Sequence, residues 1–293
     1  MKKIIVPCSN VEDLAIKISQ ELKAGVAQHE KRRFPDAEHY WRIDTDLKGA
    51  MAIVVQSGYP NPNDSIIELT LAVDAAKERN ARQVVAVVPY FPYGRQDKTF
   101  RPGEALSLRN VVTILKNSGI KSIITADAHF RKTFRGGSLF GLRWKNVTAG
   151  ALLVNYLKAK FSIRQAHLVS PDFGAGIEVK EAAEATDSTM DQLSKKRTGD
   201  WDVDMIAKQL RVQGRDVIVL DDIISTGGTM AKAIELCKKA GAKRVFAAAT
   251  HGLFIGSAMQ KMTNAGVDYI VTTDSVKNET SEVSLAHEIA SVL

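Results

Sequence analysis

The 293-residue sequence predicts an α/β protein built from two similar units, each a mostly parallel sheet flanked by helices. Three observations lead there. Short apolar, β-branched runs alternate with amphipathic stretches of helical period almost throughout the chain, the pattern of buried strands joined by crossover helices. The length exceeds the usual single-domain size. Both halves repeat one plan, in which acids follow a buried strand: Asp127, with His129 close by, in the first, and Asp221 with Asp222 in the second.

In the first half, strands are predicted at Ile4–Val6, His39–Ile43, Ala52–Gln56, Gln83–Val88 and Ser122–Ala126, where apolar runs meet turn residues. Helices fall between them, near Val11–Lys23, Ile66–Lys77 and Leu106–Asn117. The second helix has a clear start signal, because Asn63, Asp64 and Ser65 offer capping oxygens and Glu68 follows at capping-box distance. The Gly-rich, weakly periodic stretch Arg135–Asn146 reads as the boundary between halves. The pattern then restarts with helix Ala149–Lys160, strand Ala166–Ser170, helix Ile177–Ala185 and strand Thr189–Leu193. Strand Val217–Leu220, helix Met230–Ala240 and strands Arg244–Ala249 and Tyr269–Thr272 complete it. Domains are therefore expected over residues 1–142 and 143–284, with a C-terminal helix at about 285–293 a candidate to pack back on the first.

The net charge of +7, from 40 basic and 33 acidic residues, suits anionic ligands. No basic tract is interleaved with aromatics, so nucleic acid is not expected as a partner. Cys8 and Cys237 lie far apart in apolar contexts and read as buried thiols of a reducing compartment. The opening apolar run is too short for a signal peptide and no later run reaches membrane-spanning length, so a cytoplasmic location without a membrane partner is expected. In that setting the sequons at Asn146 and Asn278 are chance matches.

The stretch Val217–Thr229 carries the most chemistry. An apolar run ends at two carboxylates, Asp221 and Asp222, and a loop of small residues then opens a helix. Gly227 and Gly228 permit close backbone approach, while Ser225, Thr226 and Thr229 set hydroxyls beside the free amides of the helix start, a geometry that binds a phosphate monoester. The acids suit a ribose diol, since carboxylates accept from vicinal hydroxyls. A plain N-cap at Asp222 or Ser225 is the alternative, but one cap does not explain the whole string.

Four other strings stand out, each with a bland alternative. Ser170–Gly176 repeats the plan of strand, acid and small-residue loop, and could present amides to a diphosphate and Asp172 to a hydrated Mg²⁺. Asp127-Ala128-His129 sits at the carboxyl end of a strand, where α/β sheets place ligands, although a lone histidine is often structural. Tyr90–Lys98 and Lys31–Glu38 combine aromatics with charge, yet either alone reads as a packed loop or a solvated turn. Ser194–Asp204 is an irregular charged segment: a solvated loop by itself, or a cationic loop that closes over a phosphoryl-transfer site.

Taken in order, these strings resemble the ribose-phosphate diphosphokinases, or phosphoribosyl diphosphate synthetases, over nearly the full length. The loop after Val217 is shared with the wider phosphoribosyltransferase superfamily. Arg32–Glu38, Gln56-Ser57 with Pro62-Asn63-Asp64, Tyr90–Lys98 and Lys195-Lys196-Arg197 resemble the synthetases alone. The resemblance implies two phosphoribosyltransferase-like domains, the first binding ATP and the second ribose 5-phosphate. It implies transfer of the β,γ-diphosphoryl group of ATP to the 1-hydroxyl of ribose 5-phosphate, with Mg²⁺ as cofactor and a homo-oligomeric assembly. Phe34, Asp36, Glu38, Arg95 and Gln96 would bind ATP, and His129 and Asp172 would organise Mg²⁺. Asp221 and Asp222 would hold the ribose hydroxyls, Ser225, Thr226, Gly227, Gly228 and Thr229 the 5-phosphate, and Lys195 and Arg197 the diphosphoryl group in flight.

The chain departs from the usual pattern at Ala37, where many members have glycine, and at Ser225, where many have aspartate. Phe130-Arg131-Lys132 replaces a glutamine-rich sequence and resembles shorter, archaeal-type members. A phosphoribosyltransferase that consumes the product would not need an N-terminal ATP domain. A regulatory relative without activity is disfavoured by intact Lys195, Arg197, His129 and Asp172.

Overall fold

Apolar runs become parallel strands buried on both faces, and these strands organise the chain. The structure, a computed structural model, describes residues 1–134, 137–171, 176–193 and 210–293. Its backbone contacts divide into two units, Met1–Thr148 together with Ser284–Leu293, and Ala149–Val283.

The first unit runs β1 (Lys3–Pro7), α1 (Glu12–Leu22), β2 (Gly25–Val26), β3 (His29–Arg33), β4 (His39–Ile43) and β5 (Met51–Val55). It continues through α2 (Pro62–Glu78), β6 (Gln83–Val87), α3 (Ser107–Asn117), β7 (Ser122–Ala126), β8 (Ser138–Leu139) and β9 (Leu142–Val147). The sheet order is β2-β1-β5-β6-β7-β9-β8, parallel except for the β8–β9 pair. Ile5, Ile53, Val54 and Val55 lose all exposure in it. The antiparallel hairpin β3–β4 stands apart from that sheet, in register from His29↔Ile43 to Arg33↔His39.

The second unit runs α4 (Gly150–Phe161), β10 (Ala166–Ser170), α5 (Gly176–Ala185), β11 (Thr189–Gln192) and β12 (Asp216–Ile224). After these come α6 (Gly228–Lys239), β13 (Arg244–Gly252), α7 (Ala258–Asn264), β14 (Tyr269–Thr273) and β15 (Ser281–Val283). The order β11-β10-β12-β13-β14-β15 is parallel throughout. A last helix, α8 (Ala286–Ser291), belongs to the first unit and packs on α1, with His287 Nδ1 3.2 Å from Glu21 Oε2.

Three details differ from the sequence reading. The stretch Arg135–Asn146 was expected to be irregular, yet Leu142–Val147 is a sheet strand: Leu142 and Trp144 are buried while Arg143 and Lys145 are exposed, a period of two. Helix α2 starts at Pro62, tolerated in a first turn, and its N-cap Asn61 makes no side-chain cap; Glu68 turns inward instead of closing a capping box. Strand β12 does not stop at Leu220 but continues through both acids to Ile224, because β13 pairs with it as far as Ile224↔Gly252.

Parallel pairing sends the carboxyl end of every such strand to one edge of its sheet, so the connections that leave those ends cluster there. This brings residues 8–11, 56–61, 88–106 and 127–134 to one edge in the first unit. Both sequon asparagines are structural: Asn146 Oδ1 accepts from Thr125 Oγ1 and the Ala128 amide, each at 2.9 Å, and Asn278 donates to Gly252 O at 3.0 Å.

Candidate active site

In the second unit, β12 hands directly over to a phosphate-sized cradle. Gly227 has φ +74° and is the N-cap of α6; a Cβ there would stand 2.8 Å from the backbone oxygen of Ala258. Glycine is thus required both by conformation and by space. At Gly228 a Cβ would meet nothing within 4 Å, so open space lies over the helix start. The first amide bonded back into the helix is that of Ala231, donating to Gly227 O at 2.8 Å, which leaves the amides of Gly228, Thr229 and Met230 directed outward. The hydroxyls of Ser225, Thr226 and Thr229 make no hydrogen bond among the described residues. Capping is not the role of this string, because α6 has no side-chain cap from Asp222 or Ser225. What the arrangement offers is amides, a helix dipole and three hydroxyls around an empty volume, which suits a phosphate group.

Two anchors shape the loop from below. The Ile255 amide donates to Ser225 O at 2.9 Å, and Lys261 Nζ, a cation not singled out from the sequence, donates to Thr226 O at 3.2 Å. Asp221 and Asp222 precede the loop on the extended strand, so their side chains leave on opposite faces. Asp221 is half-buried and Asp222 only 5% exposed, and the Asp222 amide donates to Asp221 Oδ1 at 2.9 Å.

In the first unit, Phe34, Asp36 and Glu38 share the tip of the β3–β4 hairpin. The turn is closed by the Phe34 amide on Glu38 O and the Ala37 amide on Phe34 O, each at 2.9 Å, and the Glu38 amide donates to Asp36 Oδ1 at 3.2 Å. Ala37 sits at φ +73°, the left-handed region that glycine occupies without cost. Phe34 is 39% exposed, with an apolar face available for a flat ring, and the Arg32 guanidinium lies over it at 4.6 Å.

Arg95 and Gln96 lie in the connection after β6. Gly94 touches the core there, since a Cβ would stand 3.1 Å from the Phe130 ring, and Phe91 meets Phe130 edge-on at 5.5 Å. Phe130, fully buried, also anchors the single 3₁₀ turn His129–Lys132, so the Arg95 string and His129 rest on one aromatic cluster. Just before that turn, Asp127 is buried at φ +32° and paired with Arg131 at 3.1 Å. Arg95 is exposed, while Gln96 and His129 are half-buried.

Asp172, Lys195 and Arg197 lie outside the described residues. The structure therefore groups Phe34, Asp36 and Glu38 in one turn, Arg95, Gln96 and His129 around one aromatic cluster, and Asp221 to Thr229 in one strand and loop. The first two sets belong to the first unit and the third to the second.

Sequence reasoning missed the role of Glu68. Its carboxylate is 3% exposed and accepts from the Ser9 amide at 3.0 Å, Ser9 Oγ at 2.8 Å, Trp41 Nε1 at 3.3 Å and Gln56 Nε2 at 2.8 Å. The Gln56 side-chain oxygen in turn accepts the Ser57 amide at 2.9 Å. One buried carboxylate thus ties the ends of β1 and β5 to the hairpin. Gln56 beside Ser57, polar residues ending a buried strand, was the signal that could have revealed it.

Comparison with known proteins decides the family. Residues 3–119 match the model of the N-terminal domain of ribose phosphate pyrophosphokinase, and residues 194–292 match the phosphoribosyl synthetase-associated domain. A ribose-phosphate pyrophosphokinase of Methanopyrus kandleri is 34% identical, covering 98% of this chain and 97% of the relative. The chain belongs to the ribose-phosphate pyrophosphokinase family. Another such pyrophosphokinase, from Pyrococcus furiosus, is 36% identical over 92% of this chain and 94% of its own length. The crystal structure of phosphoribosylpyrophosphate synthetase from Mycobacterium smegmatis superposes with a TM-score of 0.83 at 29% identity, covering 100% of this chain and 97% of that one. No helix among the described residues is long and apolar enough to cross a membrane.

Proposed function

We propose that this pyrophosphokinase makes 5-phosphoribosyl 1-diphosphate and AMP by moving the intact β,γ-diphosphoryl group of ATP to the 1-hydroxyl of ribose 5-phosphate. The observation that carries the reading is the cradle at Ser225 to Thr229, open above Gly228 and preceded by two carboxylates. Its outward amides and hydroxyls take the 5-phosphate, and Asp221 and Asp222 take the ribose hydroxyls. In the first unit, Phe34 lies against adenine, and Asp36, Glu38, Arg95 and Gln96 bind the rest of the nucleotide. The unit Met1–Thr148 with Ser284–Leu293 is thus the ATP-binding domain, and the unit Ala149–Val283 the ribose 5-phosphate domain.

Diphosphoryl transfer needs in-line placement and neutralisation of charge more than covalent help. Arg197 can grip the transferring oxygens with two parallel N–H groups, and Lys195 adds a compact charge. The metal is Mg²⁺. An Mg²⁺ ion held through substrate phosphates needs only one or two protein groups. His129 and Asp172 would organise the ion. When bound, the ion neutralises the phosphate oxygens and polarises the sugar hydroxyl.

The enzyme works as a homo-oligomer in the cytoplasm. Its two cysteines are free and buried, as suits a reducing compartment. The deciding experiment measures AMP formed from ATP: it must depend on both ribose 5-phosphate and Mg²⁺. ADP as the only product, or AMP without the sugar, overturns the reading. Lys195→Ala should cut turnover by orders of magnitude with little loss of ribose 5-phosphate binding; an unchanged rate removes that residue from its role.

A further inference from the structure

The loop that forms the sugar-phosphate cradle is held from one side by α7, to which the reaction assigns no role. We infer that Lys261 on α7 is a positioning residue for the 5-phosphate, turning the Gly227 amide into the cradle and strengthening it as a donor. This inference rests on the sugar-phosphate reading of Ser225 to Thr229.

Two successive carbonyls of the loop are engaged from the α7 side. The Ile255 amide, shortly before α7, donates to Ser225 O at 2.9 Å, and Lys261 Nζ donates to Thr226 O at 3.2 Å. Behind Gly227 the space is closed by Ala258, the first residue of α7, whose Cα would stand 2.9 Å from an added Cβ. Both peptide bonds are trans, and in a planar trans peptide the N–H points opposite to the C=O of the same unit. Carbonyls of Ser225 and Thr226 drawn toward α7 therefore turn the amides of Thr226 and Gly227 to the opposite, open side. Neither amide donates a hydrogen bond among the described residues. Together with the amides of Gly228, Thr229 and Met230 they make a continuous run of outward N–H groups, the arrangement that holds an oxyanion.

Charge gives Lys261 a second effect. Asp221 and Asp222 precede the loop, so a phosphate entering the cradle meets two carboxylates nearby. An ammonium bonded to the Thr226 carbonyl polarises the peptide it belongs to, which makes the Gly227 N–H a stronger donor. Its positive charge also offsets part of the field of the two acids. Lys261 is exposed and reaches the loop from outside, and it needs no contact with the sugar phosphate to act in this way.

The test compares Lys261→Met, which keeps the stem without charge or donor, with Lys261→Arg, which keeps both, and with Gly228→Ala in the cradle itself. Binding of ribose 5-phosphate is measured by calorimetry without ATP, and KM for each substrate, kcat and Tm are measured at low and high salt. Lys261→Met should weaken binding of ribose 5-phosphate and raise its KM about fivefold, the upper range for an exposed charge. KM for ATP and Tm should stay as they are. Lys261→Arg should recover most of the loss, and KM for ribose 5-phosphate should rise with salt less steeply in Lys261→Met than in the native enzyme. Equal rises in both KM values, a loss that tracks a fall in Tm, or no recovery in Lys261→Arg overturns the inference. If Gly228→Ala weakens ribose 5-phosphate binding while Lys261→Met does not, only the role of Lys261 falls. If neither variant weakens it, the sugar-phosphate reading falls as well.

Discussion

Gly228→Ala separates contact with ligand from folding. The added methyl meets nothing within 4 Å and the residue is not in the left-handed region, so no clash or strain opposes it. Alanine is favoured over glycine in a helix by up to ~1 kcal/mol, and at the first helical position by less, so Tm should hold or rise by about 2–4 °C. The same methyl occupies the space assigned to the 5-phosphate. Moving the phosphate off the outward amides forfeits one or two charge-assisted hydrogen bonds of roughly 1.5–3 kcal/mol each, which raises KM for ribose 5-phosphate by at least about tenfold. KM for ATP should not move. Initial rates of AMP formation against each substrate, with a thermal melt of the same preparation, read all three quantities. A folded Gly228→Ala enzyme with normal KM for ribose 5-phosphate would refute the cradle. Gly227→Ala supplies the contrast: φ +74° and a backbone oxygen 2.8 Å from the new methyl should cost roughly 2–4 kcal/mol and lower Tm.

Ala37→Gly relieves an L-residue at φ +73° and should stabilise by up to about 1 kcal/mol after the entropy of glycine is subtracted, with KM for ATP no higher; a fall in urea midpoint would contradict the turn geometry. Glu68→Gln turns an all-acceptor group into one whose amide faces the donors of its present partners, and should cost about 1–3 kcal/mol by urea denaturation while raising KM for ATP. His167 is 1% exposed, and burial holds its imidazole below the ordinary value although Asp191 lies 3.0 Å away. The unfolded chain therefore binds its proton first, so this contribution is full above about pH 6.5 and is lost as pH falls through the lowered value. Melting between about pH 7.5 and 5.5 should depend less on pH in His167→Gln; an identical slope would remove His167 from that dependence.

Strands such as Ile4–Val6 and Gln83–Val88 were legible because a parallel strand buried on both faces is written as an unbroken apolar run. The Ser225–Thr229 loop was legible because few purposes need two glycines and three hydroxyls at a helix start. Strand Leu142–Val147 was hidden by nearby glycines, although Leu142 and Trp144 alternate with Arg143 and Lys145. The extension of β12 through Asp221 and Asp222 was hidden because aspartate disfavours strands locally, and pairing with β13 overrides that preference. Glu68 was misread for a deeper reason. Asn63, Asp64 and Ser65 made the helix seem to start near Ser65, which set Glu68 at capping distance; α2 starts at Pro62, so Glu68 lies in its second turn, and only Ser9, Trp41 and Gln56, distant in sequence, show that it turns inward.

The segment Ser284–Leu293 returns to the first unit after the whole second unit has been traversed. The second unit is contiguous in the chain, whereas the first is completed only by α8 against α1. Removing Ser284–Leu293 should therefore uncover the face of α1 that α8 covers while leaving every residue of the second unit in place.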